Sequence, residues 1–94
     1  METTKVPGRN NKHTVLLYAI STCAWCKRMK NLLKENGVEY EYVDVDLCSS
    51  EDRQKIREDI LRRGGRLSYP TLIIDDDVLI TGFQEEEARK VLEI

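Results

Sequence analysis

The chain has 94 residues, enough for one domain and near the lower end for a domain that folds alone. Hydrophobic residues at 40% and charged residues at 34% are the proportions of a globular chain, which excludes a disordered one. A net charge of −2, with Lys27, Arg28, Lys30, Arg62, Arg63 and Arg66 offset by acids, argues against a nucleic-acid partner.

Residues 1–13 are polar, carry Pro7-Gly8 and hold no apolar signal-peptide core, so they are expected to form a flexible N-terminal arm. One domain is expected over 14–94. No apolar run approaches the roughly 20 residues of a membrane span, and the chain is expected to be cytoplasmic and without membrane partners. His13, the lone histidine, reads as incidental. In a reducing compartment a structural disulfide is not expected, so a close pair among three cysteines points to redox catalysis or to metal.

Thr14 to Ile20 is a nearly continuous apolar run, the pattern of a central strand buried on both faces. Ser21 and Thr22 offer helix caps, and a helical pattern follows from about Cys23 to Asn36, with Met29, Leu32 and Leu33 at core spacing. Gly37 is a natural stop. Val38 to Asp46 alternates, placing Val38, Tyr40 and Tyr42 on one face and Glu39 and Glu41 on a wet one. Ser49 and Asp52 resemble a capping box, with Asp in place of Glu or Gln. The helix they open is predicted to run to about Arg63, with Ile56, Ile60 and Leu61 inward, and to stop at Gly64-Gly65. Thr71–Ile74 and Val78–Ile80 flank Asp75-Asp76-Asp77 as a hairpin. The three acids lack an EF-hand spacing and read as turn chemistry. Glu85 to Leu92 closes the chain as a short helix. The order is βαβαββα, an α/β domain with a mixed sheet of four strands and helices on both faces.

Cys23-Ala24-Trp25-Cys26 falls where the first strand gives way to the first helix. Unpaired N–H groups and the positive dipole end there favour an anion, so a thiolate at Cys23 is expected, with Lys27 and Arg28 adding positive charge. Cys26 lies about one turn on, placed to displace a substrate from a mixed disulfide. Cys23 then attacks and Cys26 resolves. Half of a zinc site is the competing reading, but only Cys48 and His13 remain as ligands where structural zinc takes four. No metal site is expected. Cys48 reads as a structural or incidental thiol, with a second redox switch or a glutathionylation site as its alternatives.

Ala19-Ile20-Ser21-Thr22-Cys23-Ala24-Trp25-Cys26-Lys27-Arg28 resembles the active-site segment of glutaredoxins. Ser68-Tyr69-Pro70-Thr71 occupies the place of their Thr-Val-Pro motif, and Thr81-Gly82-Phe83 that of their glycine turn. The resemblance covers roughly Thr14 to Leu92. It implies a thioredoxin-like fold of glutaredoxin type and a cis Pro70 facing the cysteines. It also implies that the backbone of Tyr69 is offered to an extended thiol substrate by strand pairing.

Departures from the family pattern bear on glutathione. The family commonly has Lys three residues before the first Cys, where this chain has Ile20, and its Gly-Gly is here Gly82-Phe83. Both changes should weaken glutathione binding, while Arg66 matches a polar family position that contacts glutathione. Gly82-Phe83 also resembles the glutaredoxin-like hydrogen donors of ribonucleotide reductase, which are reduced by a thioredoxin-type reductase. Trp25 supplies either a flat contact for a protein substrate or a cover for Cys26.

The resemblance therefore implies a monomeric protein disulfide reductase working by a dithiol mechanism. Its substrate is a disulfide-containing protein, ribonucleotide reductase among the candidates, and its reductant a thioredoxin-type reductase or glutathione. No cofactor is needed beyond the redox-active Cys23–Cys26 pair, with glutathione as the candidate small thiol. A glutathione-dependent glutaredoxin and a [2Fe–2S] cluster carrier are the alternatives.

Overall fold

Hydrophobic patterning builds the sheet outward from β2 (Val15–Ala19), the apolar run, as seen in a computed structural model describing residues 1–94. β2 lies parallel to β3 (Tyr40–Asp44) on one side and antiparallel to β4 (Thr71–Ile74) on the other. The parallel pair is joined by α1 (Ala24–Glu35), since parallel neighbours need a long crossover. β4 turns into β5 (Val78–Thr81) through Asp75 and Asp76, both at φ near +55°, a backbone region that Asp tolerates.

The sheet has five strands, not four. Thr4–Val6, within the segment expected to be a flexible arm, forms β1 and pairs antiparallel with β3, giving the order β1-β3-β2-β4-β5. Three residues without apolar alternation carry no strand signal; their pairing is set by the open edge of β3. Gly8 makes the return possible, because a Cβ there would lie 2.4 Å from Gly37 O. Asn10 then pairs with the backbone of Gly37 and Glu39.

Alternation along the strands feeds two cores. On one face Val15, Leu17, Leu72 and Ile74 pack with Met29, Leu32 and Leu33 of α1 and with Ala88 and Leu92 of α3 (Glu85–Leu92). On the other, Tyr18, Val43, Val45 and Ile73 pack with Ile56 and Ile60 of α2 (Ser50–Arg62). The segment read as alternating with one wet face is thus dry on both faces towards its end, and Val45–Leu47 leaves the strand as a 3-10 turn. Leu61, expected inward, is 48% exposed, because Ile56 and Ile60 at i, i+4 already define the buried stripe. Ser49 caps α2 as expected, accepting the N–H of Asp52 at 3.1 Å. Tyr18 donates to Asp59 Oδ2 at 2.8 Å, tying β2 to α2 beneath the second core. No helix is long and apolar enough to cross a membrane.

Candidate active site

Cys23 is itself the cap of α1. The expected caps, Ser21 and Thr22, are displaced because the cap is the residue immediately before the first helical one. Cys23 takes the extended backbone of a cap (φ −84°, ψ 121°), and its Sγ accepts the N–H of Cys26 at 3.2 Å. Its own N–H closes the turn onto Ile20 O at 3.1 Å. Charge on this sulfur therefore meets a backbone donor and the positive end of a 12-residue helix. Neither Lys27 nor Arg28 hydrogen-bonds it.

Cys26 is 1% exposed and joins the first core. Burial pushes its thiol pKa up, as does its contact with Cys23, while the N–H of Ile20, 3.5 Å from Sγ, pulls the other way. One sulfur thus lies towards solvent and its partner is buried behind it.

Ser21, no longer a cap, is gripped by Asp46: its N–H donates to Oδ1 at 2.8 Å and its hydroxyl to Oδ2. One residue pair earlier on β3, Asp44 Oδ1 holds Lys30 Nζ at 3.1 Å, and that ammonium also lies 4.0 Å from the Tyr42 ring centroid. These partners were not singled out from the sequence. A side chain reaching across 25 or 14 positions leaves no periodic signal, and Asp44 and Asp46 show only as the polar end of a strand.

The Tyr69–Pro70 peptide bond is cis, as the family pattern implied, and Pro70 is fully buried. Pro70 O accepts the N–H of Gly82 at 2.7 Å, joining the proline loop to the glycine turn. Gly82 has φ +78°, a conformation that favours glycine. Thr71 Oγ1 closes the loop onto Ser68 O at 2.7 Å. The N–H and C=O of Tyr69 have no hydrogen-bond partner in the chain, and the Tyr69 ring packs at the edge of both cores. Burial pushes its hydroxyl pKa up.

Trp25, Arg28 and Phe83 form one stack. The rings of Trp25 and Phe83 are 5.5 Å apart between centroids, and the Arg28 guanidinium lies 5.0 Å and 5.4 Å from them. Trp25 is 53% exposed, which puts its surface at the rim. Beyond the stack a groove of about 240 Å³ runs between α1 and α3, lined by Arg28, Asn31, Glu35, Glu85 and Arg89. Lys27 is exposed and makes no ion pair; Arg66 is likewise exposed and unpaired on the loop before Pro70. Cys48 is half-buried, donates to Asp44 O at 3.6 Å, and has its pKa raised by burial. No group of three or more His, Cys, Asp or Glu side chains is arranged to hold a metal ion.

Residues 15–79 match the glutaredoxin family model. The chain is 33% identical to glutaredoxin 1 of Rickettsia felis over 64 residues, 68% of this chain and 60% of that protein, so it spans less than two thirds of this relative. The crystal structure of a glutaredoxin from Methanosarcina mazei superposes with a TM-score of 0.88 at 36% identity, covering 100% of this chain and 90% of that one. Methanoredoxin of Methanosarcina acetivorans superposes with a TM-score of 0.80 at 38% identity, covering 86% and 85%.

Proposed function

The chain belongs to the glutaredoxin family, and from that premise we propose that it is a dithiol disulfide reductase acting on proteins through Cys23 and Cys26. The observation that carries this reading is the placement of the two sulfurs: Cys23 caps α1 and receives a backbone N–H, while Cys26 lies buried behind it. A thiolate so placed is the attacking group, and a shielded neighbour is the resolving one. Cys23 attacks a substrate disulfide, forming a mixed disulfide and releasing one substrate thiolate, which takes up a proton. Cys26 gives up its proton and attacks Cys23 Sγ. The second substrate thiolate leaves, a Cys23–Cys26 disulfide forms, and two electrons from a reductant restore the pair.

The substrate contacts in this reading are the free backbone groups of Tyr69 beside Pro70 and the exposed face of Trp25. Phe83, stacked on Trp25, fills the rim where a second family glycine would leave the backbone open. That arrangement supports a thioredoxin-type reductase over glutathione as electron source, and a protein such as ribonucleotide reductase as acceptor, in a reducing compartment. A glutathione-dependent reading is favoured by one feature: Gly82 keeps its left-handed turn and its bond to Pro70, so the frame of the family's glycine turn is intact. The test reduces the oxidised protein side by side with glutathione plus its reductase and with a thioredoxin-type reductase system, followed by thiol counting. Reduction by the second alone supports the proposal. Efficient reduction by glutathione assigns the second reading, and turnover by Cys23→Ser overturns the nucleophile in both.

A further inference from the structure

The resolving step poses a problem that the family motif does not solve. Cys26 must lose its proton to attack, yet it is 1% exposed and packed in the first core. A buried thiolate needs donors or a cation, or it does not form. Cys23 supplies neither; its sulfur is itself an acceptor.

Two groups meet this need, one held by Asp44 at the end of β3 and the other by Asp46 in the 3-10 turn that follows it. The N–H of Ile20 reaches Cys26 Sγ at 3.5 Å. Ile20 follows β2 and precedes the turn to the helix, and the next residue, Ser21, is gripped through N–H and hydroxyl by the two oxygens of Asp46. Lys30 follows Cys26 by four positions on α1, so both side chains lie on one face of the helix. Its ammonium is held by Asp44 at 3.1 Å and by the Tyr42 ring, and only 23% of its side chain is exposed.

Resting on the dithiol reading above, we propose that Asp46 and Lys30 are positioning residues for the resolving cysteine. Asp46 fixes the turn that aims the Ile20 N–H at Cys26 Sγ, and Lys30, anchored by Asp44, supplies the cation that favours charge on that sulfur. The other titratable groups of the surrounding elements are Cys23 at the helix start, Tyr40, Tyr42 and Asp44 on β3, and Tyr69 ahead of β4. β5 and α3 contribute Ile80, Ala88 and Leu92 to this core, none of them ionisable. Both the Ile20 N–H and the Lys30 charge act to lower the pKa of Cys26 against the upward push of burial. In the step itself, Cys26 transfers its proton to water, its thiolate forms the bond to Cys23 Sγ, and the bond from Cys23 to the substrate sulfur breaks.

The experiment mixes excess reduced protein, with Cys48→Ser, with the aromatic disulfide DTNB in a stopped-flow instrument. The first thionitrobenzoate released reports attack by Cys23, and the second reports displacement by Cys26. Lys30→Met is expected to move the pH midpoint of the second release upward by about one unit, and Lys30→Arg to restore it. Asp46→Ala is expected to slow the second release about tenfold relative to the first, as loss of an aligned hydrogen bond would. A second release with unchanged midpoint in Lys30→Met and unchanged rate ratio in Asp46→Ala overturns the proposal. So does a slowed release that Lys30→Arg fails to restore. If the parent protein with both cysteines gives no second release, the dithiol reading itself falls, and the proposal with it.

Discussion

A cysteine as helix cap differs from the usual Ser, Thr, Asp or Asn in that its acceptor is also the atom proposed above to attack the substrate. The N–H of Cys26 that satisfies the first turn of α1 is the same N–H that meets charge on Cys23 Sγ. Solvent access and the helix-start donor thus coincide at Cys23, whereas Cys26 is buried. Iodoacetamide should accordingly label Cys23 of the reduced protein at least about tenfold faster than Cys26, as peptide mapping of partially labelled protein would reveal. Equal labelling would contradict the division of roles. Phe83→Gly should raise the rate of reduction by glutathione several-fold if the ring obstructs that thiol; an unchanged rate would remove the steric argument. The cysteine pair, Pro70 and Gly82 were legible in the sequence because each is a short motif at a compatible spacing. The grip of Asp46 on Ser21 and the meeting of Phe83 with Trp25 and Arg28 were not, since both depend on contacts between residues far apart in the chain.

At the level of elements, the helices and the β4–β5 hairpin follow local rules: a cap, a stripe at i, i+4, or a turn rich in Asp. Their predicted bounds agree with the structure to within a residue or two, and Glu85–Leu92 agrees at both ends. β1 obeys no local rule. It exists because the outer edge of β3 offers unpaired backbone groups, and because Gly8 lets the chain pass close to the backbone of Gly37, Val38 and Glu39. Gly8→Ala should therefore destabilise the protein by about 1–3 kcal/mol, the cost of forcing a methyl group into closed backbone. Thermal unfolding would measure the loss, and hydrogen exchange would show the amides of Thr4–Val6 losing protection first. If neither changes, the edge strand is not held by this close approach.

Across the whole molecule, the end of the sheet opposite the cysteines is closed by His13, which proved to be more than incidental. Its Nδ1 lies 2.7 Å from Asp75 Oδ2, and its Nε2 is 3.5 Å from Glu93 Oε2, an ion-pair distance without hydrogen-bond alignment. Asp75 also accepts the N–H of Thr14 at 2.9 Å. One imidazole ring thus joins the start of the domain, the hairpin and the end of α3. The hydrogen bond to Asp75 holds His13 above its ordinary value of 6.5, against the opposing effect of burial, and the same bond holds Asp75 below its ordinary 3.8. A raised histidine contributes fully below pH 6.5 and loses its contribution as pH rises through the folded value; a lowered aspartate loses its share only as pH falls below 3.8. The unfolding temperature should consequently fall as pH rises above 6.5 through the raised folded value, and His13→Gln should flatten that slope. A wild-type slope retained in the variant would place the titration elsewhere. The antiparallel course of β1 has a practical corollary: Thr4 lies opposite Tyr42 and Val6 opposite Tyr40, so the chain begins at the reactive end of the sheet, whereas Glu93 lies at the far end beside His13. An affinity tag or reporter joined ahead of Met1 would leave from the cysteine end of the sheet, and one appended after Ile94 from the opposite end.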